Sequence, residues 1–167
     1  MFWRMLKTVL TLPGTALVYI PLVIQWATGG WPFGAEPGSV MQVGLGLVLA
    51  IPAFALAGWT MRLFTGEGDG TPAPWDPPKN LVVSGPYRHV RNPMLSSVII
   101  LIVAEALAAN SLPLLAWAVA FFLLNTLYFA FSEEPGLERR FGESYRQYKA
   151  RVPRWVPRLS PYVPSSG

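Results

Sequence analysis

Residues 92–131 read NPMLSSVIILIVAEALAANSLPLLAWAVAFFLLNTLYFAF, a stretch whose only formally charged residue is Glu105. Two apolar runs meet at Asn110-Ser111-Leu112-Pro113, and those turn-forming residues predict a tight connection between antiparallel neighbouring helices. The second run, 112–131, has the length of a bilayer core, about 30 Å as helix. The first, 95–109, rises only about 22 Å, which implies a tilted helix, a locally thinned bilayer, or partial burial against neighbours. Asn92-Pro93 opens the hairpin, with proline in the first helical turn where its missing N–H leaves nothing unpaired.

Outward from the hairpin lie two polar cassettes. Before it stands Gly85-Pro86-Tyr87-Arg88-His89-Val90-Arg91-Asn92-Pro93. After it come Ser132-Glu133-Glu134-Pro135, then Phe141-Gly142-Glu143-Ser144-Tyr145-Arg146-Gln147-Tyr148, closing on Val152-Pro153-Arg154. A down-and-up hairpin returns both cassettes to one side of the bilayer, so they are placed to build a single site at its surface. Nearly all the chemically capable residues of the chain lie in them.

Composition agrees with a membrane protein. Charged residues are 13% of the chain, against about 25% in a soluble domain. Residues 8–28 and 40–61 carry no charge at all. The expectation is one all-α membrane domain, 1–167, with four transmembrane helices at about 8–28, 40–63, 94–109 and 112–132. A loop at 64–93 and a tail at 133–167 lie on the cytoplasmic side. All 13 Lys and Arg fall in the N-terminal segment, the 62–91 loop or the C-terminal tail. By the positive-inside rule both termini are cytoplasmic, as in a bacterial inner-membrane protein. Trp26-Ala27-Thr28-Gly29 is a poor cleavage site, so the first helix is expected to stay attached. Cysteine is absent, which excludes disulfides and thiolate chemistry. The basic tail, interleaved with Tyr145, Tyr148 and Trp155, suits membrane lipids better than nucleic acid.

Between these landmarks, residues 65–78 are too rich in proline for regular helix. They form either a disordered linker or, with Trp75 and Leu81-Val82-Val83, a segment folded back on the membrane face. Glu133-Glu134-Pro135 is expected to end the fourth span. Leu137, Phe141, Tyr145, Tyr148 and Val152 then mark the apolar face of an amphipathic helix. Gln25, Gln42 and Asn125 are expected to hydrogen-bond between helices, and Glu105 to reach water or cap against Asn110.

His89, flanked by Arg88 and Arg91, is either a structural hydrogen-bonding residue or a general base; no second ligand accompanies it, so no metal site is expected. Glu133 and Glu134 sit at the negative pole of a helix and need cationic partners, for which the first cassette supplies arginines. They form either a topology-fixing salt-bridge cluster or a carboxylate that holds a ligand. Tyr87, Tyr145 and Tyr148 belong to an interfacial aromatic belt or stack on a base and face a sulfonium.

The Gly-Pro-Tyr-Arg-x-x-Arg-Asn-Pro run, the Glu-Glu pair and the Phe-Gly-x-x-Tyr-x-x-Tyr…Val-Pro-Arg ending resemble the isoprenylcysteine carboxyl methyltransferase and phospholipid methyltransferase superfamily over residues 70–157. The resemblance implies methyl transfer from S-adenosyl-L-methionine in a cytoplasm-facing pocket, to a lipophilic acceptor entering from the bilayer. It implies cofactor binding by Lys79, Asn80, Leu81, Val82, Tyr87, Asn92, Pro93, Met94, Leu95, Glu133 and Tyr148. Arg91 would anchor the cofactor's carboxylate, and Glu134 or His89 would take a proton from a protonated acceptor. Asn92 and Leu95 replace the family's usual His and Tyr. Phe129 stands where prenylcysteine methyltransferases carry the arginine that meets the substrate carboxylate, which argues against a prenylcysteine acceptor. The alternatives are an NADPH-dependent sterol- or enone-type membrane reductase and a non-catalytic membrane scaffold.

Overall fold

The computed structural model describes the chain apart from residues 1, 33, 35, 72–74 and 165–167, so Pro72 and Pro74 of the expected turn lie outside the described residues. All regular structure among the described residues is helical: α1 (Phe2–Thr11), α2 (Ile20–Thr28), α3 (Val40–Gly66), α4 (Pro93–Ala108), α5 (Leu112–Tyr128) and α6 (Glu134–Arg151). Five-residue π turns, Thr15–Tyr19 and Phe129–Glu133, join α1 to α2 and α5 to α6. The helical stretches Leu6–Thr28, Val40–Gly66 and Leu112–Arg151 are long and apolar enough to cross a membrane, and Pro93–Ala108 is a shorter apolar helix. The molecule is an all-helical integral membrane protein.

Both π turns have one cause. Each is followed by a single residue and then proline, Ile20-Pro21 in one case and Glu134-Pro135 in the other. A proline ring inside an α-helix clashes with the carbonyl four residues back and donates no hydrogen bond. Widening the preceding turn relieves the clash: the amides of Ile20 and Glu134 reach back to the carbonyls of Thr15 and Phe129, five residues away. In that register the Ala16 carbonyl would be served by residue 21, which has no N–H. Trp117 Nε1 donates to it instead at 3.0 Å, so a tryptophan of α5 satisfies the group the proline orphans.

Two expected boundaries move for related reasons. The first helix starts at Phe2, not at residue 8, because Arg4 and Lys7 interrupt an apolar run without interrupting a helix, for which both have good propensity. Glu133-Glu134-Pro135 does not end the fourth helix. The chain stays helical to Arg151, since the π turn absorbs Pro135 in the first turn of α6.

The chain divides into two compact units, Met1–Ala57 with Ser97–Leu124, and Gly58–Ser96 with Asn125–Gly167. In the first, small side chains bring helices close: Ala16, Val98, Ile102 and Ala118 form one buried cluster, and Ala106, Ala109 and Leu114 another. A Cβ on Gly46 of α3 would stand 2.8 Å from the Ala104 carbonyl of α4, so glycine permits that approach. Lipid offers helices little hydrophobic reason to associate, and polar bonds add specificity. Ser111 Oγ donates to Gln25 Oε1 at 2.7 Å, and Gln42 Nε2 to Asn110 Oδ1 at 2.9 Å. Of the two outcomes expected for Glu105, to reach water or to cap against Asn110, the second is not seen: the Asn110 side chain is taken by Gln42. Asn110 turns the chain between α4 and α5 with φ +48°, a conformation asparagine tolerates.

The second unit is built on a folded loop and α6. After α3 the chain turns through Asp69, also at positive φ. Backbone bonds from Lys79 N to Gly68 O (2.7 Å) and Thr71 N to Asp76 O (2.8 Å) close the loop. Val82 is buried, and Leu81 and Val83 pack against a core of Tyr145, Tyr148, Val152 and Tyr162. The described part of this loop is therefore ordered against protein. Leu137 and Phe141 join the same core, although Gly142 kinks α6 with φ +56° and ψ −129°.

Candidate functional site

Every residue singled out for cofactor or proton chemistry lies in the second unit. The site is assembled from the 85–93 run, α6 and the segment after it. Gly85, at φ +52°, starts a 3-10 turn (Gly85–Arg88) and lies so near the Trp59 ring that a Cβ would stand 3.0 Å from Cζ2. This turn buries Tyr87. Its ring meets Phe64 edge-on at 5.5 Å, and its carbonyl accepts a 2.7 Å bond from the buried Tyr148 hydroxyl. Tyr148 continues through Tyr145 and Tyr162 as a buried aromatic row, with ring centroids 6.2 and 5.7 Å away.

The chain after α6 runs back along the 88–91 segment. Arg91 N donates to Pro153 O (2.9 Å), Arg158 N to His89 O (3.0 Å) and Tyr162 N to Arg88 O (2.8 Å). Arg88 Nε adds a 2.7 Å bond to the Tyr162 carbonyl. His89 Nδ1 lies 2.8 Å from the Arg158 carbonyl. A carbonyl only accepts, so Nδ1 carries the proton and His89 is occupied as a clasp. Of the two roles open for it, the geometry favours the structural one.

At the centre is Glu134, 2% exposed. Its carboxylate meets Arg91 Nη1 at 2.7 Å, Arg154 Nη2 at 2.7 Å and Lys149 Nζ at 3.1 Å. Lys149 also pairs with Glu138 at 2.7 Å, so these three cations face two carboxylates and the cluster carries surplus positive charge. Burial pushes the Glu134 carboxyl up, but the Lys149 hydrogen bond and the charges of Arg91 and Arg154 outweigh it and hold the group below the usual carboxylate range. A carboxylate so paired is a poor proton acceptor at neutral pH. Its evident work is to fix Arg91, which also approaches the Tyr145 hydroxyl at 3.4 Å.

Three buried polar atoms of the 85–93 run have no partner among the described residues: Tyr87 Oη, Arg91 Nε and Asn92 Nδ2. All are donors, within six consecutive residues, and an unpaired buried donor costs about 1–3 kcal/mol. Burial, with a further contribution from Tyr148, raises the Tyr87 phenol well above its ordinary value, so it stays a donor at any physiological pH. Asn92 itself caps α4, its carbonyl accepting from Ser96 N at 3.0 Å, with Pro93 buried behind it. Met94 and Leu95 follow in the first turn of α4, half-buried.

The remaining expected residues are engaged elsewhere in the unit. Lys79 pairs with Asp69 at 2.7 Å on an exposed surface, and Asn80 Nδ2 donates to Glu67 O at 3.1 Å. Glu133 is half-exposed and accepts a long 3.4 Å bond from Tyr128. Sequence reasoning did not single out Lys149, Arg154 or Tyr162. Arg154 stood in the quoted Val-Pro-Arg ending, and its spacing from the cassettes gave the available signal; Tyr162 had none.

A helical scaffold apolar enough to cross a membrane, with a buried cluster of Arg, Glu, Tyr and Asn held by loop and tail, defines an integral membrane protein. The family model for phospholipid methyltransferases matches residues 40–144, which is well over half of the chain. The chain belongs to that family and is a membrane methyltransferase by descent. No curated protein and no solved structure gives a significant match.

Proposed function

We propose that this chain transfers a methyl group from S-adenosyl-L-methionine to a lipophilic acceptor that reaches the site from the bilayer, at a membrane face that is cytoplasmic together with both termini. The observation that carries the reading is the trio of buried, unpartnered donors, Tyr87 Oη, Arg91 Nε and Asn92 Nδ2. The fit to the cofactor is one of complementary chemistry. The ribose hydroxyls, the ring nitrogens of adenine and the carboxylate are acceptors, and the surplus positive charge around Glu134 favours the carboxylate. Tyr87, Arg91 and Asn92 would hold these groups, with Tyr148 fixing Tyr87 through its carbonyl and Glu134 fixing Arg91. Glu133, Lys79, Asn80, Leu81, Val82, Pro93, Met94 and Leu95 border the same cassettes and belong to the proposed binding region.

The cofactor supplies a methyl group on a sulfonium whose positive charge disappears on transfer, so the protein has to align and desolvate the reactants more than to move protons. The Tyr145–Tyr148–Tyr162 row excludes water on the protein side of the cluster. Arg91, held by Glu134, keeps its charge and orientation. A residue that accepts the acceptor's proton is assigned to neither Glu134, which is saturated with cations, nor the Nδ1 of His89, which is protonated. The free Nε2 of His89 is the remaining candidate.

Calorimetric titration of detergent-purified protein with S-adenosylmethionine, S-adenosylhomocysteine and NADPH tests the reading. The adenosyl compounds should bind and NADPH should not. Tyr87→Phe and Asn92→Ala should each weaken binding about ten-fold, the loss of one good hydrogen bond. NADPH binding alone would move the chain to the reductase reading. Binding of none of the three by a folded, monodisperse sample would move it to a scaffold.

A further inference from the structure

The first unit contains a groove that the methyl-transfer reading does not use. It has a volume of about 300 Å³ and is lined by Leu17, by residues of α3 from Val43 to Phe54, and by Leu101, Ala104, Glu105 and Ala108 of α4. Every wall residue but one is apolar or glycine, and the exception is Glu105. Its carboxyl makes no hydrogen bond or ion pair among the described residues. The chain offers it no cation nearby in sequence: no Lys, Arg or His occurs from Thr8 to Met61 or from Asn92 to Glu138.

An acid within a membrane-spanning helix is costly unless something pairs with it. Here the protein supplies the anion and the hydrocarbon wall but leaves the counter-charge out. Leu47 and Phe54 on the wall are exposed, and on a spanning helix an exposed side chain faces lipid, so the groove opens to the bilayer. The α3 residues from Val43 to Phe54 span about 16 Å of helix, and the volume is at the lower end of the 300–1,000 Å³ of small-molecule pockets. That is room for one chain. We propose that this groove binds a single-chain lipophilic amine, its hydrocarbon along α3 and α4 and its ammonium on the Glu105 carboxylate. Every lining residue of the groove belongs to the first unit, and the residues proposed for methyl transfer belong to the second. The groove is thus a second lipid-binding site, independent of methyl transfer.

The test uses the full chain in phosphatidylcholine nanodiscs and an alkylamine carrying a diazirine at its tail. Photolabelling should saturate and map to residues 43–54 or 101–108. Dodecylamine should compete about ten-fold better than dodecanol, a ratio that one hydrogen bond to a charged group supplies. Glu105→Gln should make the two competitors equal while keeping the labelled residues the same, and Ala50→Phe, which fills the groove, should abolish labelling. Non-saturable labelling, equal competition in the parent protein, or an amine preference that survives Glu105→Gln would overturn the proposal. Should Ala50→Phe fail to fold, the Glu105→Gln ratio decides alone. S-adenosylhomocysteine binding serves as a separate readout, because the groove and the methyl-transfer site stand or fall independently.

Discussion

Glu134 shows how far one side chain can organise a site. Breaking a buried ion pair by removing one partner costs about 3 kcal/mol, and Glu134→Gln strands two part-buried arginines together. The variant should lower the thermal midpoint by several degrees and weaken cofactor binding with it. Conservation of charge separates the two effects: Glu134→Asp should retain part of the stability while mispositioning Arg91. The sign of the pH effect follows from the depressed carboxyl. Its contribution is fully present above the ordinary value of 4.5 and is lost as pH falls through the lower folded value. Thermal midpoints in detergent should therefore drop as pH goes below about 4.5 in the parent protein, and drop less in Glu134→Gln. Tyr148→Phe removes one buried bond, to the Tyr87 carbonyl, and should cost about 1 kcal/mol. At this scale the sequence indicated that Glu133 and Glu134 needed arginine partners from the first cassette. It did not indicate which of the two would be buried. That depends on the π turn, which rotates Glu134 towards Arg91 and leaves Glu133 half-exposed beside Tyr128. Arg154 and Lys149 were hidden for another reason: their convergence on one carboxylate comes from tertiary folding of the tail, and no local period encodes it.

Among the elements, the three helices long and apolar enough to cross a membrane were legible because hydropathy and length alone define them, and the tight α4–α5 hairpin because Asn-Ser-Leu-Pro has few other uses. Helix ends were less legible. Charges at Arg4 and Lys7 look like a boundary and are helix formers, and Pro135 looks like a stop and is accommodated. Close packing in the first unit gives a paired prediction. Gly46→Ala puts a methyl 2.8 Å from the Ala104 carbonyl, whereas Gly44→Ala meets nothing within 4 Å. Backbone cannot yield as a side-chain tip does, so Gly46→Ala should lower the thermal midpoint. Gly44→Ala should leave it unchanged or raise it slightly, since alanine is the better helix former. At Gly142 a Cβ also meets nothing, so the cost of Gly142→Ala is conformational alone, about 1–3 kcal/mol in a region of φ and ψ that favours glycine. Its effect should fall on cofactor affinity, because the kink aims Tyr145 and Tyr148.

For the whole molecule, the distribution of basic residues makes a prediction about sidedness. The absence of cysteine makes it easy to check, since any introduced thiol is unique. In intact cells an impermeant maleimide should label Glu36→Cys, in the connection between α2 and α3, and should leave Glu67→Cys and Ser160→Cys unlabelled until the membrane is opened. The reverse pattern would overturn the orientation and with it the cytoplasmic cofactor supply. The overall class was legible because composition and run length exclude a soluble domain. The grouping of the chain into two compact units was not, because it cuts across α3, α4 and α5, each continuous in hydropathy.

The π turn at Phe129–Glu133 has a consequence that is best put in terms of the gene. A π turn is a helix holding one residue more than its register needs. Deleting a codon there would close the wide turn into regular helix and restore the clash of the Pro135 ring with the carbonyl four residues before it, at about 3 kcal/mol. Yet every residue beyond it would keep its direction, because the codon removed is the one the wide turn absorbs, and the Glu134 carboxylate would stay on Arg91. Most single-residue deletions in a helix damage folding first. One here should likewise lower yield and thermal midpoint, yet the protein that folds should keep its cofactor site, an in-frame lesion visible to expression and silent to affinity.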